Sequence, residues 1–363
     1  MLPALEGGGV EQGTLEIGRA LVRAGHRSIV ISAGGRMVNQ LEADGSEHHT
    51  WPVSKSSLLR PLAWVWRLRE LLRSEHVDIL HVRSRHPAWL AWLAWRGMSP
   101  NQRPVYVTTA HGLYSPGWYS AVMARGERVI AISETVRSHL LTQFARAVRD
   151  ERIQVIFRGV NPENFHPQFT PSAAWLADWR ARYPQLVDRP VITLPGRLTR
   201  LKGHHAFLNV IASLRREIPD VQGLIVGGAH PRKQAYAAEI RQSAAQLGLD
   251  NVHFTGHRSD LREILSVSNV VLSLTSNPPE AFGRTVLEAL SLGRPVVGYE
   301  HAGPGEVLRT LFPSGGVAAD DTDAVCNRTL DFLRGPVPDI APNRQFTEQQ
   351  MCAQTLDLYR RAA

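Results

Sequence analysis

Asn277-Pro278-Pro279-Glu280-Ala281-Phe282-Gly283-Arg284-Thr285-Val286-Leu287-Glu288-Ala289-Leu290-Ser291-Leu292-Gly293 sets two carboxylates, Glu280 and Glu288, across the start of an apolar helix. Before it, Asn269-Val-Val-Leu-Ser-Leu-Thr-Ser276 reads as a short buried strand. After it, Gly293 closes the helix ahead of Pro295, and Pro295-Val-Val-Gly-Tyr299 reads as a second strand. The unit is strand, loop, helix, strand, as in a parallel sheet. In open α/β sheets ligands bind outside the carboxyl ends of the strands, so Glu280 is expected at a crevice. Glu288 is flanked by Val286, Leu287, Ala289 and Leu290, and its carboxylate needs a partner if it is buried. At 1.5 Å per helical residue the two acids stand roughly 12 Å apart at most, which suits an extended ligand gripped at two points. Without further context the pair would read as a loop acid and a solvated helix acid.

Context comes from Leu194-Pro-Gly-Arg-Leu-Thr-Arg-Leu-Lys-Gly203. The strand Pro190-Val-Ile-Thr-Leu194 leads into a glycine turn carrying Arg197 and Lys202, and His204 to Glu217 reads as a helix. Two cations at a strand-to-helix turn suit a bound phosphate. Arg197 can fork onto two oxygens while Lys202 acts as a mobile point charge. Alone, this turn would equally be a solvated basic loop.

Together, Gly196-Arg197, Lys202-Gly203 and the Glu280-to-Glu288 segment resemble the retaining family-4 glycosyltransferases of GT-B fold, over nearly the whole chain. The resemblance implies an α/β architecture of two Rossmann-like domains facing across a cleft. It also implies a nucleotide-diphosphate sugar, in the first instance a UDP-sugar, as donor. On the matching positions, Arg197 and Lys202 take the diphosphate, Glu280 the sugar hydroxyls, Phe282 and Gly283 offer backbone N–H groups, and Glu288 binds the ribose. The resemblance further implies neither metal nor cofactor.

Length and composition agree. A chain of 363 residues, 43% hydrophobic and 20% charged, exceeds one typical domain and is ordinary for a globular protein. Cys326 and Cys352 are its two cysteines, too few for a disulfide framework and without metal-ligand spacing, so a reducing cytoplasm is expected. The N-terminus lacks signal-peptide regions, and no run of 18 or more apolar residues occurs. Residues 1–165 hold 20 Lys/Arg against 14 Asp/Glu, and the remainder 21 against 19, which puts the basic surplus in the first half. There Leu62-Ala-Trp-Val-Trp-Arg-Leu-Arg-Glu-Leu-Leu-Arg73 is basic and amphipathic, and Trp89, Trp92 and Trp95 recur at helix spacing. That pattern fits the inner face of the cytoplasmic membrane or a packed core. Nucleic acid is not expected, because no recognition motif accompanies the high pI.

The domains are expected at 1–165, acceptor-side, and 189–344, donor-binding. Between them lies a linker at 166–188, and a C-terminal helix at 345–363 is expected to cross back to the first domain. In the first domain Gly7-Gly8-Gly9 permits close backbone approach and precedes an amphipathic helix from Thr14 to Ala24. By the resemblance Gly8 and Gly9 face the donor phosphate. Only Met1 to Leu5 precede this loop, so the strand feeding it is expected to be frayed or to continue upstream. His111 follows the strand Pro104 to Ala110, and the family places such a histidine on the donor sugar. Ser133 and Glu134 end a further strand on the acceptor side. Arg83 and Arg85, after Asp78-Ile-Leu-His-Val82, suit an anionic acceptor or solvated surface equally. Phe157-Arg-Gly-Val-Asn161 departs from the family pattern, and Arg158 has no assigned role. In the second domain Arg258 is a candidate for the base, and Asp320-Asp-Thr-Asp323 reads as a surface turn.

The whole reads as a retaining, metal-independent, cytoplasmic glycosyltransferase similar to those that extend the lipopolysaccharide core, acting on a saccharide or lipid-linked saccharide. A sugar-nucleotide epimerase of the same fold and an inactive sugar-nucleotide-binding protein are the alternatives. No second acid/base pair stands out for the former, and intact Glu280, Arg197 and Lys202 oppose the latter.

Overall fold

Short runs of Val, Ile and Leu bounded by Gly, Pro and polar residues make most of the strands, and the named strands of the described residues pair in parallel. The computed structural model describes residues 1–53, 61–229 and 234–363, in two units: Met1–Gly159 with Glu348–Ala363, and Val160–Thr347.

In unit 1, β1 (Ile29–Ser32) pairs with β2 (Glu47–Thr50). A second sheet runs β3 (Ile79–Val82), β4 (Val105–Ala110), β5 (Arg128–Ala131), β6 (Ile153–Val155) in that order. The Met1–Leu5 segment lies extended between the two: Leu2 N donates to Ile31 O at 3.1 Å, Ala33 N to Pro3 O at 3.0 Å, and Arg83 N to Met1 O at 3.1 Å. Leu2 and Leu5 are fully buried beside Leu15, Val30 and Leu41, so this stretch is a core element that feeds the glycine loop. Helix Gly9–Arg23 follows, and helix Glu348–Ala362 packs on it. Met351, Leu358 and Tyr359 thereby join Ile17, Val107 and Ile130 in one cluster. Helices Pro61–Ser74 and Arg85–Arg96 build another cluster around Leu68, Ala91, Tyr106 and Met123. Trp64, Trp89, Trp92 and Trp95 pack against this core, whereas Leu62 and Trp66 face solvent.

In unit 2 the strands are β7 (Val191–Pro195), β8 (Gln222–Val226), β9 (Val252–Phe254), β10 (Val270–Ser273), β11 (Val296–Tyr299) and β12 (Gly316–Val317). Their order is β12-β11-β10-β7-β8-β9. All residues of β7 and β11 are buried, as expected for parallel strands covered on both faces. The first strand is central, and the chain winds outward from it in both directions. The strand order therefore reverses between β7 and β10, and such a switch point opens a crevice at the carboxyl ends of the two strands. Helices His204–Glu217 and Arg284–Ser291, each following one of these strands, bury Phe207, Leu208, Ile211 and Leu214, and Val286, Leu287, Ala289 and Leu290.

The 166–188 stretch, expected as a linker, belongs to unit 2. It carries helix Ala173–Arg182, on which Trp175 and Trp179 stack with centroids 5.1 Å apart, and Trp179 is buried with Leu224 and Ile264. Its tryptophans are spent on covering the sheet. The chain leaves and re-enters unit 2 at one place: Val160 pairs with Thr347, and its N–H donates to Phe346 O at 3.1 Å. Asp321 caps helix Thr322–Arg334 by accepting from Ala324 N at 2.8 Å, which accounts for the acidic run locally. No helix of the described residues is long and apolar enough to cross a membrane.

Gly203 closes the turn after β7 at φ 71°, and a Cβ there would stand 2.2 Å from the Leu274 carbonyl oxygen at the end of β10. Gly248 has a similar φ of 66° but open space around it. Gly203→Ala is expected to cost about 2–4 kcal/mol, combining strain and a backbone clash, and Gly248→Ala about 1 kcal/mol. Thermal unfolding of the two variants checks this; equal losses would contradict the close approach at Gly203.

Candidate active site

The crevice of unit 2 is built from the loops that follow β7 and β10. After β7, Gly196 at φ 148° turns the chain back over the Lys202 stem, a Cβ there lying 3.1 Å from Lys202 Cδ. Arg197 is exposed and makes no ion pair among the described residues, while Lys202 is half-buried. After β10, the loop Asn277–Gly283 brings Glu280 over, and Lys202 Nζ bonds Glu280 Oε2 at 2.8 Å. With side-chain exposures of 24% and 27%, the pair contributes about 0–1 kcal/mol to stability. Its consequence is positional, because it aligns a cation and a carboxylate at the switch point.

Glu288 has the partner its half-buried position demands: Arg284 Nε bonds Glu288 Oε1 at 2.9 Å within the helix. Gly283 starts that helix at φ 83°, where a Cβ would meet Pro304 Cα at 2.7 Å. The Phe282 ring is buried edge-on against Phe346, centroids 5.9 Å apart. Phe282 therefore offers a ligand its backbone and not its ring. Arg258 is engaged within unit 2: Asp260 takes its fork at 2.8 and 2.6 Å, and its guanidinium lies 5.7 Å from the Trp179 ring.

One residue at this crevice was missed. His301 follows β11, and its Nε2 meets Ser276 O at 3.0 Å, which assigns the proton to Nε2. Its Nδ1 is buried without a hydrogen-bond partner among the described residues. The adjoining Gly303 donates its N–H to Glu280 O at 3.0 Å, so the His301 loop backs the Glu280 loop. Its position at a strand's carboxyl end was the available signal.

In unit 1 the predicted residues divide. Gly8 caps helix Gly9–Arg23 in extended conformation, and Gly9 has open space around its Cα. Arg83, read as a surface residue for an acceptor, is buried: its Nη1 donates to Gly13 O at 2.8 Å and its Nε approaches His111 Nε2 at 3.4 Å. Arg158, given no role, is its counterpart, donating to Gly9 O at 2.8 Å and lying 3.8 Å from Glu16. Gly13 makes this possible, since a Cβ there would sit 1.7 Å from Arg158 Nη2. Ser133, expected on an acceptor, is fully buried and accepts from Val136 N at 3.1 Å, capping helix Glu134–Gln143. Arg85 remains half-exposed, bonded to Ser120 Oγ at 3.2 Å.

His111 stands at the carboxyl end of β4. Burial first, then the Arg83 and Arg158 guanidinia and His81, holds its imidazole well below the ordinary range, so it is neutral at pH 7. Accepting from Arg83 at Nε2 leaves the proton on Nδ1. A cavity of about 390 Å³ also opens in unit 1. It is lined by Ser28, Ile29, Asp78 and Ile79 with Leu356 and Tyr359. Most of these lie at the amino ends of β1 and β3, and Thr14, His81 and Arg83 complete the lining, so the cavity is separate from the unit 2 crevice.

The folds and these loops define a class. Residues 7–164 match the family Glycosyltransferase Family 4, and residues 177–336 match Glycosyl transferases group 1. The chain belongs to the glycosyltransferases of GT-B fold. Among solved structures it is similar to a glycosyltransferase from Rickettsia africae, with 26% identity, a TM-score of 0.85, and coverage of 99% of this chain and 97% of that one. Anabaena Alr3699/HepE in complex with UDP and glucose superposes at a TM-score of 0.80, with 21% identity and coverage of 99% and 98%. The lipopolysaccharide core biosynthesis mannosyltransferase LpsB of Rhizobium meliloti is 24% identical over 76% of this chain and 73% of its own.

Burial lowers His204 to about 4 and holds His81, like His111, well below its ordinary range. Each is neutral when folded and takes up a proton more readily when unfolded. Their stabilising effect is therefore complete above about pH 6.5 and lost as pH falls toward 4. The unfolding temperature is expected to drop steadily from pH 7 to pH 4.5, with a shallower drop in His81→Gln. A flat profile would contradict the assignment.

Proposed function

We propose that this protein transfers a glycosyl group, with retention, from a nucleotide-diphosphate sugar to a saccharide acceptor of the lipopolysaccharide-core kind. The observation that carries the reading is the Lys202–Glu280 contact at the switch point, with Arg197 exposed beside it. UDP is the first nucleotide to try, because the Anabaena neighbour carries UDP and glucose. The likeness to LpsB supports the acceptor class.

On this reading Lys202 and Arg197 hold the diphosphate, and the Gly283 helix terminus adds a partial positive charge. Glu280, released from Lys202 by the phosphate, takes the sugar hydroxyls and favours positive charge developing at the anomeric carbon. Glu288 reaches the ribose, the Phe282 and Gly283 amides meet sugar or phosphate, and neutral His111 donates Nδ1–H to a sugar hydroxyl. Gly8 and Gly9 border the phosphate. As the bond from anomeric carbon to phosphate oxygen breaks, its electron pair stays on the phosphate. The acceptor oxygen bonds the same face of the carbon, and its proton passes to the departing phosphate oxygen. The fixed cations supply the charge stabilisation such a leaving group needs, so the reaction is proposed to run without a metal. We place the enzyme in the cytoplasm, with the exposed Leu62 and Trp66, 80% and 64% accessible, at the membrane surface.

Incubation with a panel of nucleotide sugars, reading release of free nucleotide, is expected to show turnover of one donor and no loss of rate with EDTA. Glu280→Ala and Lys202→Ala should each lower kcat/KM by about 100-fold or more with unfolding temperatures near wild type. Absence of both turnover and donor binding across the panel would sink the transferase reading, and wild-type rates in either variant would remove that residue from the site.

A further inference from the structure

Trp118 is the most exposed aromatic side chain among the described residues, at 74%, yet its indole is held in place. It meets Trp89 at 5.3 Å and 62°, and Tyr119 at 5.9 Å and 79°. Trp89 in turn donates Nε1–H to Tyr119 O at 2.9 Å. A single exposed apolar residue ordinarily needs no explanation. A buttressed one, flanked by cations that no carboxylate neutralises, does.

The cations are Arg85 and Arg125. The Arg85 guanidinium lies 5.1 Å from the Tyr114 ring and 5.6 Å from the Tyr119 ring. Arg125 lies 5.6 Å from the Trp89 ring and 4.6 Å from the Trp92 ring. Neither forms an ion pair among the described residues, and the one side-chain hydrogen bond between them is that of Arg85 to Ser120. Stacking occupies the faces of the guanidinia and leaves most of their N–H edges available to an anion. Tyr114, Trp118, Tyr119 and Arg125 follow β4, on the segment that carries His111, and Arg85, Trp89 and Trp92 come from helix Arg85–Arg96.

We propose that Trp118, with Arg85 and Arg125, is the docking platform for an anionic saccharide acceptor, a deepening that rests on the transferase reading. A pyranose presents a face of C–H groups, and laying that face on a pre-positioned indole removes apolar area from water with little ordering cost. A phosphate or carboxylate on the sugar then receives charge-assisted N–H bonds from the arginines. Recognition needs both parts: the ring alone selects any sugar, and the arginines alone any anion.

Saturation-transfer NMR on the full chain, with mannose 6-phosphate, mannose and inorganic phosphate as probes, tests this. Saturation is expected on the ring protons of mannose 6-phosphate, weaker for mannose, with phosphate competing. Trp118→Ala should weaken phosphosugar binding about tenfold, and Arg85→Gln should abolish the preference for the phosphorylated sugar. The exposure of Trp118 predicts an unchanged unfolding temperature in its variant, so loss of signal would not report misfolding. No saturation in wild type at millimolar phosphosugar, or equal saturation in Trp118→Ala, overturns the proposal. If Trp118→Ala instead strips the protein from phosphatidylglycerol vesicles and leaves the phosphosugar signal intact, the indole is a lipid anchor and the proposal falls. Donor turnover with an unaltered phosphosugar signal would overturn the platform alone; a Trp118-dependent signal without donor turnover would remove the transferase reading alone.

Discussion

The contact between Lys202 and Glu280 depends on two loops meeting at the switch point of the unit 2 sheet, and much else follows from that constraint. A parallel sheet wound outward from a central strand brings the ends of β7 and β10 side by side. Gly203 then has to pass the Leu274 carbonyl with no room for a side chain. The ion pair that results is too exposed to add much stability. What it does is hold a cation and a carboxylate at 2.8 Å, beside the N-termini of helices His204–Glu217 and Arg284–Ser291. His301, after β11, and Gly303, in the first turn of helix Ala302–Leu311, brace Ser276 and Glu280 from behind.

Unit 1 solves a different problem. Its glycine-rich opening serves the packing of the protein itself, because Gly13 makes room for a buried guanidinium that reaches the Gly9 carbonyl. Arg83 and Arg158 cross-brace helix Gly9–Arg23 from beneath. Buried cations are costly unless bonded, and here backbone carbonyls, with Glu16 near Arg158, meet that requirement. Burial, and after it their field, keep His111 neutral, which leaves it one N–H donor and one acceptor nitrogen.

The parts that were legible share a physical cause. Strands buried on both faces read as continuous apolar runs, so β7, β10 and β11 stood out together with the turns after them. Glu280, Arg197 and Lys202 stand out because cations and acids at such turns have few structural reasons to be there, and the fold brings Lys202 and Glu280 to 2.8 Å. Ser133 was misread, although Ser directly before Glu134 at a helix start is a capping signal that the sequence contained. Arg83 and Arg85 look alike as residues two apart, yet one is pinned under a helix and the other lies over tyrosines. Burial of a long side chain depends on what the rest of the chain lays over it. The 166–188 stretch reads as a linker from its proline and tryptophan content, and the packing of Trp179 with Leu224 and Ile264 makes it part of unit 2.

By itself, then, the sequence determined the class of fold, the parallel sheets and the charged loops at the crevice. These are local consequences of apolar patterning, glycine placement and turn composition. The tertiary structure decided which charges meet. Lys202 and Glu280 are 78 positions apart, and Arg158 reaches Gly9 across 149, separations that no local rule spans. It also decided that Trp118 stands exposed against Trp89 and Tyr119, the rings over which Arg125 and Arg85 lie. An indole's fate as core or platform depends on how many neighbours cover it, and that is a property of the packed chain.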